Sequence, residues 1–205
     1  MMKRHDLITM GPFQFPGWLI ALAVAFVLSY GLLSLILKRK WGNNTKEEIT
    51  SAVTGTIVAG FILYHMWPLF GNWSMILNPS QLLFTSGGPF AKEAAVLLGA
   101  IVLGLMWKKK KWSLHAADDI SLSIFLGYSL YSLLLIQPGL STGGSWGLMY
   151  DGNFHHPLHV YEGTLGLVFL WFGANWVISK QPFILTLYLA FSVVAIDLLL
   201  KPVSP

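Results

Sequence analysis

Six apolar stretches divide the chain, at 17–37, 50–70, 93–107, 119–136, 161–179 and 182–200, and charged, glycine-rich or proline-containing segments separate them. A helix that is apolar all round must be buried in lipid or in a core, and a chain of 205 residues could not bury six such helices in a water-surrounded core. At about 1.5 Å per residue, stretches of this length approach the roughly 30 Å of hydrocarbon in a bilayer. The pattern predicts an all-α polytopic membrane protein with one transmembrane domain over 1–205. The third stretch is short and the second contains Pro68, so their ends are the least sharply drawn. Between them lie Asn78-Pro79-Ser80, the apolar piece Gln81 to Phe84, and Ser86-Gly87-Gly88-Pro89. That segment is expected to hold a re-entrant turn or half-helix, making six spans, or seven if it crosses.

The first stretch follows Lys3 and Arg4 as a signal peptide would, but it has no small-x-small cleavage site and ends in Lys38-Arg39-Lys40. It reads as a first span with a stop-transfer flank. Nine basic residues fall on one side of the predicted spans: Lys38, Arg39, Lys40, Lys46, Lys108 to Lys111, and Lys180. Four fall on the other: Lys3, Arg4, Lys92 and Lys201. The nine mark the cytoplasmic side, which places the N-terminus and the loops 71–92 and 137–160 outside the cell. Trp18, Trp41, Trp67, Trp73, Trp107, Trp112 and Trp146 sit near predicted span ends, as interfacial anchors do.

Composition sharpens this picture. Only 11% of residues are charged, against about 25% in soluble domains, and 55% are hydrophobic, which excludes both a soluble globule and a disordered chain. There is no cysteine, so disulfides, thiolate metal sites and a cysteine nucleophile supplied by the chain are excluded. The net charge of +4 is read as membrane topology, and no nucleic-acid partner is expected. Gly55 with Ala59, Gly99 with Leu103 beside Gly104, and Gly127 with Tyr131 offer small faces on which helices can approach. No internal repeat is visible, which argues against a transporter built from duplicated halves.

Candidate chemistry concentrates in the outward segment 137–160 and the residues just after it. Its glycine-rich part, Gly143-Gly144-Ser145-Trp146-Gly147, supplies turns and backbone N–H groups suited to a lipid headgroup or phosphate, or is an ordinary surface loop. His155, His156, His159 and Glu162 fall where a helix could begin, with Pro157 in its first turn, and on that helix His159 and Glu162 share a face. Histidine with a carboxylate suits Zn or Fe. The donors, however, come from one short segment, so a hydrogen-bonded network is the favoured reading and no metal or cofactor is expected. Asp118 and Asp119 read as helix N-terminal charges beside the lysine run. His65, Glu162 and Asp197 lack such a partner and are candidates for a buried polar cluster, because an unpaired ionisable group at membrane depth costs at least ~2–3 kcal/mol.

The segment His156-Pro157-Leu158-His159-Val160-Tyr161-Glu162 resembles the His-Pro-x-x-x-Tyr-Glu motif of the bacterial prolipoprotein diacylglyceryl transferases. Gly11 to Trp18 before the first span, Ser86-Gly87-Gly88-Pro89-Phe90 before the third, and Ala117-Asp118 before a Ser/Leu-rich fourth span resemble the corresponding parts of that family. The resemblance implies a multi-pass protein of the bacterial inner membrane, with its N-terminus outside. Its activity would be transfer of the diacylglyceryl group of phosphatidylglycerol to the thiol of a lipoprotein precursor, with release of glycerol phosphate. Its partners would be membrane phospholipid and lipoprotein precursor. It further implies His156 or His159 as base and Glu162 as the orienting partner. Lys92, Tyr161, Asp197 and Lys201 would then contact substrate.

The chain also departs from the family. Lys92-Glu93-Ala94 stands where the family has His-Gly-Gly, and Tyr131 to Leu135 stands where the family has Arg-x-Gly-Asn-Phe. Arg4 and Arg39 are the only arginines, so phosphate recognition would fall to lysine, which acts as a point charge and not as a bidentate fork. Two readings follow: a divergent transferase, and a protein of the same fold that binds lipid or lipoprotein without catalysis.

Overall fold

The computed structural model of the chain describes residues 2–3, 7–10, 13–71, 88–177 and 181–204. The re-entrant expectation at 78–87 lies outside the described residues, as do Arg4, Trp73 and Lys180. The apolar pattern is realised as helices. The first two stretches form one element, α1 (Gly17–Met66), interrupted at Gly42, whose φ of 79° and ψ of 174° only glycine adopts without strain. α1 stops at Met66 and not at 70, because Pro68 cannot continue the hydrogen-bond ladder; a 3₁₀ turn, Trp67–Phe70, follows. The third stretch is longer than its apolar core suggests. α2 (Ala91–Lys110) runs on through Lys108, Lys109 and Lys110, cations that suit the negative end of a helix dipole. α3 (His115–Leu134), α4 (Leu158–Phe172) with a π-helical turn Gly173–Val177, and α5 (Ile184–Leu200) complete the set. Among the described residues, the helical stretch 17–70 is long and apolar enough to cross a membrane, while α5 is apolar but shorter. Large apolar side chains point outward from these helices, among them Val96 at 73% exposed and Phe191 at 73%.

The chain forms two compact units, one of residues 1–37 with 113–205 and one of residues 38–112. In the first, α3, α4 and α5 pack on one another around Phe125, Leu158, Leu185, Leu189, Ile196 and Leu200. α3 and α4 approach closely because Gly163 and Gly166 present no side chain there: a Cβ on Gly163 would collide with Leu133 and lie 2.9 Å from the Ser129 carbonyl, and one on Gly166 would collide with the Ser129 hydroxyl. Gly127, one of the small residues singled out by spacing, lies against Ser29 of α1.

The segment 137–160, expected as a loop leading into a helix, is instead a small sheet. β5 (Pro138–Ser141), β6 (Leu148–Tyr150) and β7 (Asn153–Pro157) pair antiparallel in the order β5-β7-β6. Asp151 and Gly152, with φ of 49° and 80°, make the two-residue turn between β6 and β7, the positive-φ pair that Asp-Gly favours. His155 and His156 therefore lie on a strand, and Pro157 is the residue before α4 and not within its first turn. One further pairing ties the N-terminal segment to the rest of this unit, β1 (Met2–Lys3) running parallel to β4 (Leu135–Ile136), while β2 (Leu7–Met10) pairs antiparallel with β3 (Phe13–Pro16) within that segment.

Asp118, in the first turn of α3, also caps a second helix. Its Oδ2 accepts the Phe183 N–H at 3.0 Å, and its Oδ1 accepts the Thr186 N–H at 2.8 Å and the Thr186 hydroxyl at 2.9 Å. These are free donors at the start of α5, where the dipole also favours an anion. The cap lies 65 residues away in sequence and holds Phe183 at a φ of 72°. Asp118→Ala is expected to cost about 1–3 kcal/mol and Asp118→Asn less, read as a lowered midpoint of thermal unfolding in micelles.

In the second unit, the part of α1 after Gly42 and α2 run antiparallel. Gly60 faces Ala95, Thr56 lies 3.2 Å from the Cβ position of Gly99, and Glu48 meets Lys110 at 3.0 Å. Glu48 also accepts a long hydrogen bond, 3.5 Å, from the Trp112 indole, and the Trp107 indole donates to the Trp112 carbonyl at 2.8 Å. The hydrogen bond from Lys110, helped by that from Trp112, holds the Glu48 carboxyl below the usual carboxylate range. A depressed carboxylate contributes stability that is present above its ordinary pKa and lost as pH falls through the lowered folded value. Acidification through that window is therefore expected to loosen the α1–α2 tie by a small amount, and Glu48→Gln to abolish that part of the pH dependence in unfolding measured against pH.

Candidate functional site

The candidate residues of the first unit are placed by three elements: β7, the first two turns of α4 and the C-terminal end of α5. Side chains alternate across a strand, so His155 and His156 leave β7 on opposite faces. The His155 Nδ1 bonds the Gly139 carbonyl of β5 at 2.8 Å, and its ring stands edge-on to Tyr150. His156 meets the edge of the Trp146 ring at a centroid distance of 5.0 Å, and its Nδ1 lies 3.5 Å from the Tyr161 hydroxyl. That second contact is long for a hydrogen bond, so the His156 imidazole is positioned by rings more than by a strong partner.

His159 is 1% exposed, with its Nδ1 3.3 Å from both the N–H and the carbonyl oxygen of Gln137, which ties α4 to the start of the sheet. His159 and Glu162 share α4, as their spacing predicts, yet they meet different surroundings. Glu162 is half-buried and accepts a hydrogen bond from Ser132 of α3, a hydroxyl that also bonds Tyr128. Asp197 of α5 lies within electrostatic reach of both Glu162 and Tyr128. Of the three groups expected in a buried polar cluster, Glu162 is half-buried against Ser132, while Asp197 is exposed and acts on it only as a like charge at a distance. The third, His65, is buried in the other unit, its ring tilted against Phe61 at a centroid distance of 4.4 Å and edge-on to Tyr64.

Lys201 follows Asp197 by one turn, its N–H on the Asp197 carbonyl at 3.0 Å and its side chain exposed. The chain then returns to the sheet, where the Leu140 N–H donates to the Val203 carbonyl at 2.8 Å. Gly139 allows that approach: a Cβ there would collide with the Val203 carbonyl and lie 3.1 Å from the His156 Cβ. The end of α5 is in this way fastened beside the strand that carries His156. Lys92, the second residue of α2, is exposed and belongs to the second unit. Among the described residues, no three imidazole or carboxylate groups gather as a metal ligand set.

Sequence reasoning did not single out Ser132, Tyr128 or the Trp146 contact to His156. The first two had a legible signal: Phe125, Tyr128, Ser129 and Ser132 recur at helical spacing along one face of α3, and three of the four are polar. The third had none, because Trp146 reaches His156 through the β6–β7 hairpin.

No family model matches the chain. The chain is 23% identical over 169 residues, 72% of its length, to phosphatidylglycerol–prolipoprotein diacylglyceryl transferase 2 of Clostridium perfringens. It is 28% identical over 150 residues, 70% of its length, to the phosphatidylglycerol–prolipoprotein diacylglyceryl transferase of Clostridioides difficile. It spans 66% and 59% of the length of these two curated relatives. The resemblance carried by the motif at 156–162 therefore extends along most of the chain, which is a divergent relative of the bacterial prolipoprotein diacylglyceryl transferases.

Proposed function

We propose that the protein is a multi-pass membrane transferase that moves the diacylglyceryl group of a phosphatidylglycerol-type lipid to the cysteine thiol of a lipoprotein precursor. The observation that carries this reading is the junction of β7 and α4, where the His156 imidazole meets the Tyr161 hydroxyl at 3.5 Å in a chain similar to two such transferases. His156 takes the proton of the acceptor thiol. The sulfur bonds to the glycerol carbon of the lipid, the bond from that carbon to the phosphate oxygen breaks, and glycerol phosphate leaves with the electron pair. A thiol brought by the substrate suits a chain with no cysteine. Lys201 acts on the departing phosphate as a point charge, and Lys92 is a candidate for phosphate contact by its position in the sequence. The Ser132 hydroxyl, bonded to Glu162 and Tyr128, ties α4 to α3 beneath the junction, and His159 fixes the sheet to α4.

In this reading the six apolar stretches all span the cell membrane of a bacterium as one domain, with the N-terminus and the 137–160 sheet outside. The extracted protein is incubated with phosphatidylglycerol and a lipobox peptide; glycerol phosphate release that requires the peptide cysteine is the expected result. Release from a peptide with serine in place of cysteine, or none with either peptide, contradicts it. One observation favours a second reading, a lipid-binding relative without chemistry: the chain has two arginines, Arg4 and Arg39, where phosphate chemistry leans on several. Under that reading phosphatidylglycerol binds and no glycerol phosphate appears.

A further inference from the structure

The second unit carries a feature that the transferase reading does not use. Its antiparallel helix pair brings the start of the second half of α1 beside the end of α2, through Glu48 and Lys110 at 3.0 Å. Two basic runs far apart in sequence are thereby assigned to the same unit: Lys38, Arg39 and Lys46 around the Gly42 interruption, and Lys108, Lys109 and Lys111 at the end of α2. All six except Lys46 are exposed. Of the two carboxylates between 38 and 50, Glu48 is taken by Lys110 and Trp112, and Glu47 faces solvent. Charge compensation by the protein itself is therefore far from complete. The lysine run lies between Trp107 and Trp112, whose rings meet edge to face at 5.7 Å, and above them α2 presents exposed Val96, Leu97, Ile101 and Leu105. An apolar helix surface, then indoles, then a cluster of cations is the order of chemistry met across a bilayer leaflet from acyl chain to anionic headgroup.

We propose that this end of the second unit is a binding surface for anionic phospholipid headgroups, which seat their phosphates among Lys108, Lys109 and Lys111 and their glycerol region against Trp107. The Glu48 to Lys110 clamp, closed by the Trp112 indole, is the part that shapes the surface, and the remaining lysines supply its charge. The proposal rests on the reading of the chain as a membrane protein but not on its chemistry. Phosphatidylserine serves as the probe because it is not the proposed donor, so the two can fail separately.

The test uses the full chain in uncharged micelles, titrated with spin-labelled phosphatidylserine or phosphatidylcholine and followed by tryptophan quenching. Preference for phosphatidylserine is expected, weakening with salt. Lys108→Gln/Lys109→Gln/Lys111→Gln is expected to lower that preference by about tenfold or more, and the corresponding triple arginine variant to keep it. If the triple glutamine variant does not fold, Lys38→Gln/Arg39→Gln provides the same reading with a smaller loss. Equal binding of the two lipids by the wild-type protein overturns the proposal. So does undiminished selectivity in both glutamine variants, full competition by inorganic phosphate, or tighter binding of an RNA oligomer than of the lipid.

Discussion

Replacing His156 with alanine is expected to lower the rate of diacylglyceryl transfer by about 10²–10⁴-fold, the usual span for loss of a general base. The side chain is half-buried and its partners are the Trp146 ring and a 3.5 Å contact to Tyr161, so little stability rests on it. Lipid affinity is expected to hold while the chemical step fails, which appears as a fall in kcat with KM nearly unchanged. His159→Ala makes the contrast. That ring is 1% exposed and bonded to Gln137, so its loss is expected to lower the yield of folded protein and the unfolding midpoint together with activity. Tyr161→Phe is expected to fall between wild type and His156→Ala, since the hydroxyl it removes lies at the edge of hydrogen-bond range. A profile in which His159→Ala abolishes turnover with no loss of stability, and His156→Ala is silent, would move the base to His159.

The second large effect concerns packing between α3 and α4. Glycine inside a helix costs roughly 0.5–1 kcal/mol relative to alanine, so Gly→Ala substitutions there commonly stabilise. Gly55 and Gly104 have nothing within 4 Å of a would-be Cβ, and Gly55→Ala and Gly104→Ala are expected to follow that rule. Gly163→Ala and Gly166→Ala are expected to do the opposite. A methyl at 163 meets Leu133 and the backbone carbonyl of Ser129, and one at 166 meets the Ser129 hydroxyl, which is itself bonded to the Phe125 carbonyl at 2.9 Å and 0% exposed. Backbone cannot rotate away as a side-chain tip can, so the helices must separate, at about 1–3 kcal/mol for each site. At roughly 2–4 °C per kcal/mol, the double variant is expected to unfold several degrees or more below wild type. Its activity is expected to fall as well, because separating α3 from α4 pulls Ser132 from Glu162. An unfolding midpoint equal to that of wild type would show that the two helices do not pack as described.

Much of the helical plan is legible in the hydrophobic pattern, because a run that is apolar all round has few other outcomes. Its boundaries follow rules that the pattern alone does not contain. Pro68 ends α1 early, and the helix dipole carries α2 through three lysines that hydropathy excludes. The sheet at 138–157 is harder to see, since its strands are three to five residues long and rich in Gly, Pro and His. Asp151-Gly152 is nonetheless a turn signal written plainly in the sequence, and giving it weight yields the β6–β7 hairpin and puts His156 on a strand.

Contacts distant in sequence are a different matter. The cap from Asp118 to Phe183 and Thr186 reaches across 65 and 68 residues, and periodicity holds no trace of it. The hydrogen bond from Ser132 to Glu162 is expected only in the sense that an intramembrane acid needs a polar partner. The close approach at Gly163 and Gly166 is spaced by three residues, and a search for four-residue small-x-x-x-small faces passes it by.

The proposed activation of a substrate thiol toward a phospholipid takes place at the junction of β7 and α4. It is tested most directly by the mass of a lipobox peptide after incubation with phosphatidylglycerol and purified protein, wild type beside His156→Ala, with bound lipid measured in both. A thioether-linked diacylglyceryl group on the peptide cysteine is expected with wild type, a trace of it with His156→Ala, and equal lipid binding. An unmodified peptide with wild-type protein that binds phosphatidylglycerol, or equal modification by the two proteins, would contradict it.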